Sequence, residues 1–245
     1  MNPIYRYIFP NKCIFCMEEL EESTTDICNV CYNKIKVIDE TYCRHCGKLR
    51  ELEDDLCLDC LTRGHEFEAG RGVFVYDDRV KKALFGLKFY NQTWIARKMG
   101  RIMAEYYLEH VGWEIDYVMP VPIHYFKYIT RGYNQAGVLA SYFVQAYNEQ
   151  MVQYQGRPVK LLKKGLKRIK WTAPQKDLNP ETRYKNLENA FIVNAKIMDD
   201  VKNCNVLIID DIYTTGATMD VCARQLKTAQ VGKVFFITAA MGSGL

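Results

Sequence analysis

Apolar positions follow two regimes along the chain. Up to about residue 66 they are short and interrupted by paired cysteines; beyond it they form continuous runs separated by stretches of helical spacing. Gly72–Asp78 (GVFVYDD) reads as a strand, and residues 79–90 as a helix with Val80, Leu84 and Leu87 on one side. Thr93 offers a hydroxyl N-cap to a longer helix carrying Ile95, Met99, Ile102, Met103 and Tyr106 on one face. Ile115–Met119 is a short apolar run. A helix over 132–147 turns Ala136, Ala140, Phe143, Val144 and Tyr147 inward, Pro158–Leu162 reads as a strand, and 183–190 as a short helix. A continuous apolar strand at Val206–Ile209, a helix over 218–229 and a last strand over 234–239 complete the pattern. The methionines and tyrosines read as core. Strands apolar throughout, separated by amphipathic helices, predict an α/β fold with a mainly parallel sheet covered on both faces.

The cysteines define a second unit. Eight of the ten fall in C-x-x-C pairs: Cys13/Cys16, Cys28/Cys31, Cys43/Cys46 and Cys57/Cys60. A two-residue spacer lets both thiolates face one ion, and two such knuckles complete a tetrahedron, so the pattern predicts two structural Zn²⁺ sites. The pairs can be used sequentially or interleaved. Sequential use is favoured because Cys28-Asn-Val-Cys31 leads into Tyr-Asn-Lys-Ile-Lys, a short helix whose N-terminus suits a thiolate. The two halves share little beyond their cysteines and need not be a true repeat. Thr62–Gly70 reads as a polar linker, dividing a double zinc-ribbon module (1–66) from an α/β domain (67–245). Cys222, at an apolar helical position, and Cys204, before a strand, read as buried thiols.

Charge sharpens this division. Residues 1–66 hold 8 Lys/Arg against 13 Asp/Glu, and residues 67–245 hold 25 against 16. Each Zn²⁺ on four thiolates leaves two further negative charges, so an anionic polymer should prefer the C-terminal part. The N-terminal apolar stretch is too short and interrupted for a signal peptide, and no apolar run approaches the roughly 20 residues that span a bilayer. A cytoplasmic protein without membrane insertion is expected.

Val206-Leu-Ile-Ile-Asp210-Asp211-Ile-Tyr-Thr214-Thr215-Gly216-Ala217-Thr218 carries the chemistry: a buried strand ends in two acids, then a small-residue loop feeds a helix. Hydroxyls and N–H groups at a helix N-terminus cradle an anion, and Gly216 permits close backbone approach. Carboxylates beside an anion site make sense if the ligand offers both phosphate and hydroxyls, as a ribose 5-phosphate does. Upstream, Pro120 and Pro122 stiffen the exit from a strand, while Lys127 and Arg131 supply cations suited to a diphosphate.

The 206–218 segment resembles the phosphoribosyl pyrophosphate (PRPP) motif of type I phosphoribosyltransferases. That resemblance implies ribose binding by Asp210 and Asp211 and 5-phosphate binding by Thr214, Thr215, Gly216, Ala217 and Thr218. The stretch Met119-Pro-Val-Pro122 to Arg131-Gly-Tyr-Asn134-Gln135 resembles the pyrophosphate loop of the ComF family, linked to DNA uptake in natural competence; it places Lys127, Arg131, Gly132, Asn134 and Gln135 at the diphosphate. Thr172-Ala-Pro-Gln175 through Arg183, Asn186, Ala190 and Phe191 is similar to another ComF pattern. The resemblance implies a type I phosphoribosyltransferase domain behind zinc ribbons, PRPP as ligand with Mg²⁺ held mainly by the ligand's own oxygens, and a competence DNA-translocation helicase as partner. If turnover occurs, pyrophosphate leaves C1 as positive charge develops on the ribose ring. No residue is singled out as catalytic. The sequence closes a few residues after the last predicted strand, so no C-terminal cap for an acceptor base is expected.

Arg157 to Lys176 holds Arg157, Lys160, Lys163, Lys164, Lys167, Arg168, Lys170 and Lys176 without an acid, and Trp171 lies among them. Such a strip suits single-stranded DNA, with phosphates on Lys163, Lys164, Lys167, Arg168 and Lys170 and a base on Trp171; it also reads as a solvated loop near the PRPP site. Two other functions fit the same residues: a transferase acting on an unidentified acceptor, and a non-catalytic PRPP sensor that docks a partner through its zinc module.

Overall fold

The computed structural model describes residues 11–20, 25–39, 41–50, 56–170, 187 and 189–242. The cysteine-rich region forms two ribbons of one design. In each, the first knuckle is a tight turn: the Cys13 and Cys43 amides donate to Glu18 O and Lys48 O, both at 2.8 Å. Met17 and Gly47, after the second cysteine of each knuckle, take φ of 69° and 78°. Bridges Lys12–Glu19 and Tyr42–Leu49 close the two ribbons alike. The second knuckle of each opens a short helix, α1 (Asn29–Tyr32) and α2 (Leu58–Thr62). The halves are therefore a structural repeat. The first helix starts inside the cysteine pair, not after it, because Cys28 is its N-cap and its Sγ accepts from the Cys31 amide.

Beyond the ribbons run β1 (Ala69–Val75), α3 (Asp78–Phe89), α4 (Thr93–His110), β2 (Tyr117–Pro120), α5 (Tyr125–Arg131), α6 (Gln135–Gln153), β3 (Lys160–Leu161), β4 (Leu166–Arg168), β5 (Phe191–Val193), β6 (Val206–Tyr213), α7 (Ala217–Thr228) and β7 (Val234–Met241). Five strands make a parallel sheet in the order β1-β7-β6-β2-β3, while β4 and β5 pair separately and antiparallel. No helix among the described residues is long and apolar enough to cross a membrane.

Several expected boundaries move for local reasons. Asp77 and Asp78 leave the expected strand because the Asp77 side chain caps α3 by accepting from the Val80 amide. Thr93 is the first residue of α4 and not its cap; Asn91, at φ 52°, ends the preceding turn and puts Gln92 in the cap position without a side-chain bond. The 132–147 helix begins later, at Gln135, and runs to Gln153. The expected strand over 158–162 contracts to β3, and β6 continues past Ile209 through both acids to Tyr213. Cys222 is fully buried as expected, whereas Cys204 is half-buried in the loop before β6, its thiol directed at Asp200 O. The expected 183–190 helix lies outside the described residues apart from Leu187, Asn189 and Ala190.

Alternation along the central strands sorts the core into two layers. Leu207, Ile209 and Ile237 pack with α4 and α6, together with Cys13, Ile14, Phe15 and Cys31 of the first ribbon. Val206, Ile208 and Phe236 pack with α7, together with Ile38 and the four cysteines of the second ribbon. The ribbons thus straddle the edge strand β1, and the segment joining them pairs with that edge: Ile38 N donates to Val73 O and Val75 N to Lys36 O, both at 2.9 Å. Gly100 lets α4 and α6 cross closely, since a Cβ there would lie 2.8 Å from Leu139 O.

Candidate functional site

Cys13, Cys16, Cys28 and Cys31 gather in one cluster and Cys43, Cys46, Cys57 and Cys60 in another, with all sulfurs of a cluster within 4.8 Å of one another. Ligation is therefore sequential. Crowded thiols resist ionising together: contact with Cys43, then burial, pushes Cys46 up to about 12. A divalent cation removes that conflict, and a four-thiol tetrahedral donor set is what structural Zn²⁺ takes. Both clusters fit it.

A cleft of about 240 Å³ opens beyond the carboxyl end of β2. β2 stops at Pro120, opposite Ile209, so the next residues of β6, Asp210 and Asp211, lose their neighbour on that side and form the floor. Crevices at this end of a parallel sheet are where α/β folds bind ligands. The walls are cationic: Lys88 from α3, Lys127 and Arg131 from α5, and Arg168 from β4.

The electrostatics are layered. Lys88 forms an ion pair with Asp211, whose side chain is 11% exposed. Burial works against the Lys88 ammonium, but Asp211 and then Asp210 more than offset it, so its pKa lies above the ordinary lysine range. Asp210 accepts from the Asp211 amide at 2.9 Å, yet burial and the neighbouring Asp211 charge push its carboxyl well above the usual range. Lys127 is lowered by burial and then by Arg168, Arg131 and Lys88. A cleft with crowded cations on its walls and crowded acids on its floor is poised for a ligand with anionic and hydroxyl ends.

The expected site residues distribute unevenly. Lys127, Arg131, Asn134 and Gln135 all line the cleft; Gly132 ends α5 at φ 79°. Arg131 donates to Gln135 Oε1 at 3.1 Å. The Gln135 amide nitrogen and Asn134 Oδ1 are buried without a protein partner among the described residues, a donor and an acceptor available to a ligand. The region expected as a loop contains α5, a helix with no buried residue. Of the 214–218 segment, Thr218 lines the cleft with the acids. Thr214, Thr215 and Gly216 make the turn into α7, where Gly216 at φ 83° is the cap position and no side chain caps the helix. Its leading N–H groups keep their capacity for an anion.

The basic strip divides. Arg168 turns into the cleft, its guanidinium 5.3 Å from the Phe191 ring, and Arg157 pairs with Asp116 at 3.1 Å. Lys163, Lys164, Lys167 and Lys170 are exposed along β4 and its flanks. Trp171, Lys176 and the 172–186 stretch lie outside the described residues. Two features were missed by sequence reasoning. Lys88 is one. The other is an aromatic rim of exposed rings on the two helices that supply Lys88, Lys127 and Arg131 to the cleft: Phe85, Phe89 and Tyr90 at the end of α3, and Tyr125, Phe126 and Tyr128 on α5. Arg131 links the two sides, 5.2 Å from the Phe89 ring centre.

Residues 4–61 match the family model of a double zinc ribbon domain. Competence protein F of Haemophilus influenzae is 27% identical over 230 residues, covering 92% of this chain and 95% of that protein. The DNA utilization protein YhgH of Escherichia coli is 26% identical over 221 residues, 89% and 91% of the two chains. Competence protein ComFC of Bacillus subtilis is 23% identical over 235 residues, 87% and 88% of the two. Among solved structures, adenine phosphoribosyltransferase of Saccharomyces cerevisiae aligns with a TM-score of 0.35 at 12% identity, covering 74% of this chain and 91% of that one.

Proposed function

The chain belongs to the ComF family, and from that premise we propose that its cleft binds PRPP with Mg²⁺ while the surface around the cleft handles single-stranded DNA in the cytoplasm. The observation that carries the first part is the meeting of Asp210 and Asp211 with Lys88, Lys127, Arg131 and Arg168 in one cleft. Asp210 and Asp211 accept from the ribose hydroxyls, the turn Thr214–Thr218 with the start of α7 takes the 5-phosphate, and Lys127, Arg131 and Gln135 take the diphosphate. Mg²⁺ supplies charge neutralisation on the diphosphate, mainly through the ligand's oxygens. Thermal unfolding tests this: PRPP with Mg²⁺ raises Tm by mass action, and Asp210→Asn removes the shift. An equal shift in the variant would show that the carboxylate does not hold the ribose. Pyrophosphate release with candidate acceptors separates a transferase from a binder.

The second part is supported by the relatives' association with competence and DNA utilization and by the surface itself. Exposed Lys163, Lys164, Lys167 and Lys170 offer phosphate contacts, and the aromatic rim offers rings on which bases stack. A DNA-translocating helicase is the partner class that this role calls for.

A further inference from the structure

Helix α7 carries an acid, Asp220, in its first turn, immediately behind the turn that would receive a phosphate. By charge alone an acid there opposes anion binding. Its contacts explain it. Asp220 is buried and receives three hydrogen bonds: His65 Nδ1–H donates to both carboxylate oxygens at 2.9 and 3.1 Å, and the Glu66 amide donates at 2.9 Å. Both donors lie on the connection leaving the second ribbon. The Asp220 amide in turn donates to Gly216 O at 2.9 Å, closing the first turn of the helix.

His65 touches the turn directly as well. A Cβ on Gly216 would lie 3.2 Å from His65 Cε1, so the imidazole edge packs against the residue that gives the turn its left-handed bend. Behind the imidazole the contacts lead into the second metal cluster. Its ring stacks on Phe67 at 4.6 Å and meets His45 edge-on at 5.3 Å. His45 sits between Cys43 and Cys46, and its ring bonds to Phe67 O at 3.0 Å. No comparable contact joins the first ribbon to α7 among the described residues; its polar ties go to α4, through Lys98 and Arg101.

We propose that His65 and Asp220 are positioning residues, a latch through which the second ribbon holds the Thr214–Thr218 turn in its anion-receiving shape. This rests on the reading of that turn as the 5-phosphate site, but the latch has a ligand-free readout. The experiment uses the full chain with its zinc content measured, as wild type, His65→Ala, Asp220→Ala, Asp220→Asn and Glu66→Ala. Without ligand, amide hydrogen exchange over 214–218 should run roughly tenfold faster in His65→Ala and Asp220→Ala, with both zinc ions retained. Asp220→Asn keeps an acceptor for the Glu66 amide and His65, so it should restore most of the protection. Glu66→Ala removes ion pairs to Arg224 and Lys227 at the far end of α7 and should leave the turn unchanged. PRPP with Mg²⁺ should bind roughly tenfold more weakly to the two alanine variants at positions 65 and 220. Unchanged exchange over 214–218 in both would overturn the latch. Zinc loss with loosening of the whole domain would also overturn it, because a latch acts locally. If the turn loosens as expected but wild-type protein gives no PRPP shift, the latch stands and the PRPP reading fails.

Discussion

Asp210 is held where burial and a neighbouring acid oppose its charge. Its carboxyl has a raised pKa in the folded chain, so the unfolded state releases its proton first as pH rises. Folding stability therefore falls from the unfolded pKa, about 3.9, up to the higher folded value. Asp210→Asn should leave the ligand-free protein as stable or more stable at neutral pH, flatten this pH dependence, and abolish stabilisation by PRPP; denaturant melts at several pH values check it. Substituting Lys88 has the opposite effect on stability. Removing it strands the Asp211 charge, so Lys88→Ala should cost about 3 kcal/mol, and adding Asp211→Ala should recover much of that in a double-mutant cycle. The two acids were legible because they adjoin each other directly after a continuous apolar run. Lys88 was not: in Gly86-Leu87-Lys88-Phe89 it occupies an ordinary polar position of an amphipathic helix, and its partner lies more than a hundred residues away.

Elements with regular periodicity were read well, and irregular ones were not. The central strands and the helices α3, α4, α6 and α7 each bury one face and show it in spacing. Helix α5 buries no residue and so has no face to read. The β4–β5 pair joins residues 166–168 to 191–193, a contact that no local pattern announces. It is this pairing that separates the strip into Arg168, facing the cleft, and lysines facing solvent. The consequence is measurable. With about four phosphates engaged, log affinity for single strands should fall with log salt at a slope near −3. Gln at Lys163, Lys164 and Lys167 should flatten that slope by about 2. Phe126→Ala with Tyr128→Ala should weaken binding by roughly 1–3 kcal/mol per stacked base at nearly unchanged slope. Arg168→Gln should weaken PRPP binding instead and leave the salt slope alone. Salt titrations on short oligonucleotides, run beside the thermal shift assay, distinguish these outcomes.

At the scale of the whole molecule, the ribbons and the connection that follows them meet helices α4 and α7 across an acidic-to-basic seam. Asp26 of the first ribbon pairs with Lys98 and Arg101, and Glu66 with Arg224 and Lys227. Each ribbon belongs to a different layer of the core, so the two metal sites should fail differently. Cys13→Ser should loosen the α4 side, and Cys43→Ser the α7 side with the 214–218 turn; hydrogen exchange resolved by segment checks it. The segment 36–38 has a further consequence. It occupies the outer hydrogen bonds of β1, the strand at one margin of the sheet, whereas the opposite margin, β3, is two residues long and carries a lysine. Stripping the metal would uncover β1, whose bare N–H and C=O groups are a template for pairing with another chain. Chelated protein should therefore clump at concentrations where the metal-loaded form stays dispersed, with light scattering rising before the far-ultraviolet helix signal falls. The ribbons would then act as a guard against self-association during the protein's lifetime, a duty separate from anything the cleft binds.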